Sequence, residues 1–224
     1  MMVIIDNDVV KKLAKWDLLD ELVQLLGGNM DYIYLLPSCY YALCYPEKPS
    51  KGIRRCGDQA TIDRIKAFCK NSKVLPKPTQ DEWLTELIKI PGIDPGEVLI
   101  FITGYEKPKS LTYIGDKRSL IALTGAAIVK TIHDSLLGRI KCLEQTMAEL
   151  ICCHGLSRIL EKVRRRKDAD IVIAIVFGSD PDPRSLQEIW EGLLSYYNTL
   201  YHDTAGLLAP FPELPTLDRP RRVP

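Results

Sequence analysis

The sequence predicts an α/β fold: a three-layer α/β/α domain around a central parallel sheet, followed by a C-terminal extension. Three observations lead there. Short β-prone runs at Met2–Ile5, Tyr32–Leu36 and Ser110–Ile114 alternate with longer stretches of helical apolar spacing. The turns between them carry helix-start and helix-stop residues rather than hairpin signals, so the strands are joined by crossovers and run parallel. With 224 residues, 46% of them hydrophobic, the chain has ample apolar surface for a buried core beneath helices on both sheet faces.

Taken in order, Met2–Ile5 ends in Asp6-Asn7-Asp8, and a helix follows through Val9, Val10, Leu13 and Leu22 until Gly27-Gly28 stops it. Tyr32–Leu36 is the second strand, closed by Pro37, and Ser38–Cys44 begins another helix. Pro46–Gly57, with two prolines, two glycines and four basic residues, reads as an exposed loop. Asp58–Lys70 has helical spacing and Val74-Leu75 marks a short third strand. Thr79-Gln80-Asp81-Glu82 has the form of a capping box ahead of Trp83, Leu84, Leu87 and Ile88. Asp94-Pro95-Gly96-Glu97 opens a helix that is apolar nearly all round through Tyr105, and so is expected to be buried. Ser110–Ile114 is the next strand, and a helix-rich stretch runs from there to about Lys167. Residues 1–155 form the main domain on this reading. The extension, 156–208, holds a helix, a β-prone run at Ala169–Phe177, a turn at Asp180-Pro181-Asp182-Pro183, and an amphipathic helix over Arg184–Tyr201. Residues 209–224 form a proline-rich tail.

Composition narrows the function less. A net charge of +1 argues neither for nor against a nucleic-acid partner, so local clusters must carry any such claim. The longest strongly apolar run, Ile171–Phe177, is far short of a membrane span, and Val3–Ile5 is too short for a signal peptide core. The expectation is a soluble, cytoplasmic protein with no membrane partner. The seven cysteines contain no CxxC pair and read as reduced thiols.

In open parallel sheets ligands bind outside the carboxyl ends of the strands. Asp6, Glu97 and Asp116 are all expected at that edge or at the adjoining helix starts. Carboxylates gathered there would repel one another unless a hard cation neutralised them, and Mg²⁺ or Mn²⁺ suits an all-oxygen set facing a phosphate. Each residue also has a plainer role: Asp6 and Asp116 as helix caps, and Glu97 as the third residue of a capping box begun by Asp94. The two roles are compatible, because helix N-termini favour anions.

The segments Val3-Ile4-Ile5-Asp6-Asn7-Asp8, Leu35-Leu36-Pro37-Ser38, Ile93-Asp94-Pro95-Gly96-Glu97 and Tyr113-Ile114-Gly115-Asp116-Lys117-Arg118 together resemble, in order and spacing, the PIN-domain proteins. The resemblance covers about residues 2–150. It implies a metal-dependent ribonuclease, many of whose relatives are toxins of toxin–antitoxin pairs. Asp6, Glu97 and Asp116 would then be catalytic and would hold the metal, with Asp8 assisting. PIN proteins usually carry a second acid in a Glu-Leu pair on the helix after strand two, and the matching pair here is Ala42-Leu43. Asp8, an added acid, either replaces that charge in part or accompanies a degenerate site whose module acts through protein contacts.

Lys11, Lys12, Lys117 and Arg118 lie nearest the expected pocket and are the candidate contacts to an RNA backbone. The cluster Arg158, Lys162 and Arg164–Lys167 reads either as a phosphate-binding patch or, more simply, as a solvated helix C-terminus. The Arg184–Tyr201 helix gathers Ile189, Trp190, Leu193 and Tyr197 on one face. That face either packs on its own domain or meets an antitoxin-like protein or a second copy of the chain.

Overall fold

The computed structural model describes residues 1–178 and 184–215. The elements run β1 (Val3–Ile5), α1 (Asn7–Lys15), α2 (Leu19–Leu25), β2 (Ile33–Leu35), α3 (Cys39–Cys44), α4 (Pro49–Cys56), α5 (Gln59–Asn71) and β3 (Lys73–Val74). Then come α6 (Asp81–Leu87), α7 (Pro95–Glu106), β4 (Leu111–Tyr113), α8 (Lys117–Gly125), α9 (Lys130–Leu136) and β5 (Ile140–Lys141). The C-terminal part adds α10 (Leu143–His154), α11 (Leu156–Arg165), α12 (Ile171–Phe177) and α13 (Leu186–Asp203). The five strands form one sheet in the order β3-β2-β1-β4-β5, and every pairing is parallel. Val3 pairs with Ile33 on one side and Leu111 on the other, and Ile5 with Leu35 and Tyr113.

Alternation along β1 divides the core. Val3 and Ile5 face a cluster built with α1, α2, α5 and α10, while Ile4 faces one built with α7, α8 and α9. From β1 the chain builds outward through β2 and β3, then returns to the other side of β1 for β4 and β5. That reversal puts the switch point of the sheet between β1 and β4, where adjacent connections leave in opposite directions and open a crevice. The amide of Asp6 donates to the Tyr113 carbonyl at 2.9 Å and holds the two strand ends together there.

Several expectations need correction. Ala169–Phe177 is no strand: α12 occupies Ile171–Phe177, with the Asp170 carboxylate accepting from the Ile173 amide at 3.0 Å. Its branched residues favour a strand, but a cap, a buried Ile173–Val176–Phe177 stripe at helical spacing, and packing on α11 and α13 outweigh that preference. Pro46–Gly57 is largely helix rather than loop. Pro49 stands in the first turn of α4, where it lacks only an amide that would have no partner anyway. The stretch up to Lys167 is interrupted by β5, whose two residues are too few to show a period. Thr79 forms no capping box; its amide and hydroxyl both donate to Glu106, at 2.7 and 2.8 Å, and α6 starts without a side-chain cap. The turn at 180–183 lies outside the described residues, as does most of the tail.

The C-terminal segment is knitted into both layers. Ile189, Trp190 and Leu193 of α13 belong to the first core cluster, and Tyr197 and Leu200 to the second, so the apolar face of this helix is covered by its own chain. Ala209 donates to the Ile140 carbonyl at 2.7 Å, continuing past the sheet edge. Arg158, Lys162, Arg165 and Arg166 of the basic cluster are spent on internal contacts. Arg158 and Lys162 reach the buried Glu21 at 2.8 and 2.6 Å, and Arg166 bonds Asp58 and Asp168. Burial works against the Glu21 charge, but Lys162 and Arg158 outweigh it and hold the carboxyl below its usual range. Among the described residues no helix is long and apolar enough to cross a membrane.

Candidate functional site

A cleft of about 540 Å³ opens at the carboxyl edge of the sheet, over the switch point. Asp6, Asp8, Asp94, Glu97 and Asp116 all line it, so the three carboxylates expected to meet share one cleft. Each arrives from a different turn. Asp6 ends β1 and caps α1, accepting from the Asp8 amide at 3.3 Å. Glu97 and Asp94 form a reciprocal capping box at the start of α7, with bonds of 2.8 and 2.9 Å. Asp116 follows β4 and caps α8 through the Arg118 amide at 2.9 Å. The capping and pocket readings therefore hold together: the same backbone geometry that needs a cap aims the carboxylate at the edge.

The charges fall into two classes. Asp8 is answered by Lys11 at 2.7 Å and Lys12 at 2.5 Å, and Asp116 by Arg118 at 2.6 Å. Burial opposes the Asp8 charge, but Lys12 and Lys11 outweigh it and keep the carboxyl below its usual range. Hydrogen bonding from Arg118 does the same for Asp116 against a smaller burial effect. Asp6 and Glu97 form no ion pair among the described residues. They are 7% and 4% exposed. Burial, assisted by the Asp8 charge, pushes Asp6 up to about 6. Burial pushes Glu97 up to about 7, with Asp94 and Asp116 adding repulsion against the pull of two hydrogen bonds. Beside them the Asn7 Oδ1 is buried with no hydrogen-bond partner among the described residues. Gly115 has a reason to lack a side chain, since a Cβ there would meet the Asp8 carboxylate at 2.5 Å.

This set suits a hard divalent cation in its chemistry: carboxylate oxygens, two of them buried without a compensating charge, and an orphaned amide oxygen. Among the described residues, no three acidic, histidine or cysteine side chains stand close enough to hold an ion as they are placed.

The cations expected to meet RNA are differently placed. Lys11, Lys12 and Arg118 line the cleft but are engaged, Lys12 also reaching Asp170 of the C-terminal segment at 2.8 Å. Lys117 turns away to the buried Glu144 at 2.5 Å and is not part of the lining. Ala42, in the place of the acid the resemblance implies, sits on the cleft wall with Ser38 and Leu43. Sequence reasoning missed Asn7, Ser38 and Arg55 as lining residues. Ser38 had a usable signal, because it follows Pro37 at the end of β2 as Asp6 follows β1. Arg55 had none once its segment was read as a loop. The chain matches no protein-family model, and no curated protein and no solved structure matches it.

Proposed function

We propose that the cleft is the site of a Mg²⁺- or Mn²⁺-dependent ribonuclease on a PIN-like domain, hydrolysing RNA phosphodiesters as toxins of toxin–antitoxin pairs do. The observation that supports this reading is the pair of buried carboxylates, Asp6 and Glu97, without an ion-pair partner among the described residues at the switch point of a parallel sheet. Asp6, Glu97 and Asp116 would hold the metal, with Asp8 and the Asn7 Oδ1 at its flank. When bound, such an ion supplies Lewis-acid stabilisation of the phosphate and a more acidic bound water. The chain supplies the rest. Lys11 and Arg118 can exchange Asp8 and Asp116 for phosphate oxygens as a strand enters, which frees those carboxylates to face the reaction centre.

Metal uptake itself gives a test with a definite sign. In the metal-free protein Asp6 and Glu97 keep their protons up to about pH 6 and 7, and an arriving cation must displace them. Affinity for Mn²⁺, measured by calorimetry, is expected to fall about 100-fold between pH 7.5 and pH 5.5. Binding at pH 7.5 is expected to release protons into the buffer. Affinity that is flat with pH would count against these two ligands.

A second reading has its own support. Ala42 stands where the resemblance implies an acid, and Lys12 is clasped between Asp8 and Asp170. On this reading the module is catalytically degenerate and acts through protein contacts. Its partner, an antitoxin-like protein or a second copy of the chain, would use the outer side of the C-terminal segment, where Ile171, Ile175 and Tyr201 are exposed. Absence of divalent-ion binding at millimolar levels favours it. Ala42→Glu discriminates further. If the cleft takes a metal, the added carboxylate is expected to tighten Mn²⁺ binding about tenfold or more; an unchanged, undetectable affinity in the variant would support the degenerate module.

A further inference from the structure

The cations nearest the cleft in sequence are already spoken for. Lys11, Lys12, Lys117, Arg118 and Arg166 each meet a carboxylate. The helix α4 is the opposite case. Lys48, Lys51, Arg54 and Arg55 are all exposed, the helix contains no acid, and none of the four has a carboxylate partner among the described residues. Lys51 and Arg55, four apart, lie on one side of the helix, and Lys48 precedes them at its N-cap, so the three form a row that begins just ahead of α4. The row spans on the order of 10 Å, and its last member, Arg55, lines the carboxylate cleft.

The row is rigidly placed against α3. The Cys56 thiol donates to the Leu43 carbonyl at 3.4 Å. Gly52 lies so close to the Cys44 carbonyl that a Cβ would collide with it. Lys51 stands over the Tyr45 ring, 4.4 Å from its centre, a cation–π contact that holds the side chain against α3 without an opposing charge. On α3 itself, Tyr41 is 65% exposed, next in sequence to Ala42 on the cleft wall, and its ring meets Tyr40 edge-on at 5.2 Å. An exposed, braced aromatic beside a row of unpaired cations leading into a cleft is a surface made for a chain with charged links and stackable faces.

We infer that the α3–α4 surface binds single-stranded RNA, with Tyr41 stacking on an unpaired base and Lys48, Lys51, Arg54 and Arg55 carrying the backbone phosphates towards the carboxylate cleft. The inference rests on the ribonuclease reading of that cleft and adds the strand's path. Duplex RNA keeps its base faces stacked and cannot use Tyr41, so selectivity for single strands follows from this arrangement.

The experiment is fluorescence anisotropy with a labelled RNA of about twelve nucleotides, single-stranded or annealed, in EDTA so that neither metal nor cleavage takes part. Replacing Lys48, Lys51, Arg54 and Arg55 together by Ala is expected to weaken single-strand binding on the order of 100-fold near 100 mM salt. The slope of log affinity against log salt should drop by about 2 to 3. The control removes four exposed cations elsewhere, Lys77, Lys107, Lys109 and Lys167, and is expected to bind as wild type. Tyr41→Ala is expected to lose about tenfold on the single strand and little on the duplex. Equal losses in the α4 variant and the control, or equal wild-type affinity for duplex and single strand, would overturn the inference. So would an acidic peptide of matching charge binding as tightly as the RNA, which would assign the face to a protein partner. Wild-type protein that binds the single strand but shows no divalent-dependent cleavage removes only the catalytic reading, and lost binding with intact Mn²⁺ uptake removes only the strand's path.

Discussion

Asp6→Asn is expected to lower divalent-metal-dependent RNA cleavage by at least about 10³-fold while leaving the fold intact. The substitution is chosen so that the two roles of Asp6 separate. Asn accepts a hydrogen bond at a helix start as well as Asp does, so the cap on α1 survives. The negative oxygen, which a metal ion requires, does not. Stability should move in the opposite direction to activity. The folded-state value of Asp6, about 6, lies above that of an unfolded carboxyl near 4. The folded protein then holds this proton more tightly than the unfolded chain. Stability falls as pH rises between those two values, and above pH 6 the cost of the buried charge is fully present. At pH 7.5 in EDTA the Asn variant escapes that cost and is expected to be more stable by about 2–3 kcal/mol, read from urea denaturation. Equal cleavage by variant and wild type would sink the catalytic reading. A variant that is inactive but less stable would show that Asp6 is chiefly structural.

Trp16→Ala is expected to cost about 3–5 kcal/mol, and Trp16→Phe about 1–2. Trp16 closes α1 and is fully buried. Its indole Nε1 donates to the Arg166 carbonyl at 3.0 Å, across 150 residues of sequence. Around it Lys15 pairs with Asp168 at 3.0 Å, and Arg166 bonds Asp58. The ring is therefore the point where the first helix and the C-terminal segment are joined. Alanine leaves a large cavity and a buried carbonyl without its donor, whereas phenylalanine loses only the bond and part of the packing. Because α11, α12 and α13 share one core cluster with β1 and α1, the loss should appear as a lower midpoint of a single transition. If the C-terminal segment were only loosely appended, Trp16→Ala would instead lower the midpoint little and split the transition in two.

Much of the site's address was legible before any coordinates. Asp6, Asp94, Glu97 and Asp116 sit at strand ends and helix starts, and both kinds of position announce themselves locally, through an apolar run that stops at an acid or an Asp-Pro-x-Glu turn. That they line one cleft followed from a general property of parallel sheets rather than from their spacing. Their electrostatic states were not legible. Asp8 and Asp6 are two residues apart and chemically identical, yet one is held ionised by two lysines while the other is pushed towards neutrality by burial.

The C-terminal half shows the limit more sharply. Ile171–Phe177 has the composition of a strand and the sheet ends at β3 with no further strand among the described residues, but its hydrophobic stripe, Ile173, Val176 and Phe177, finds its partners on α11 and α13. By itself the sequence determined the parallel α/β class, the caps, and the carboxylates at the edge of the sheet. These depend on neighbours within a turn or two of chain, where periodicity and turn chemistry act. Only the tertiary structure decided which cations are spent and which are free, that α4 is a helix bearing Arg55 into the cleft, and that the last helices complete the core. Those outcomes depend on groups brought together from more than 150 residues apart, and no local pattern records them.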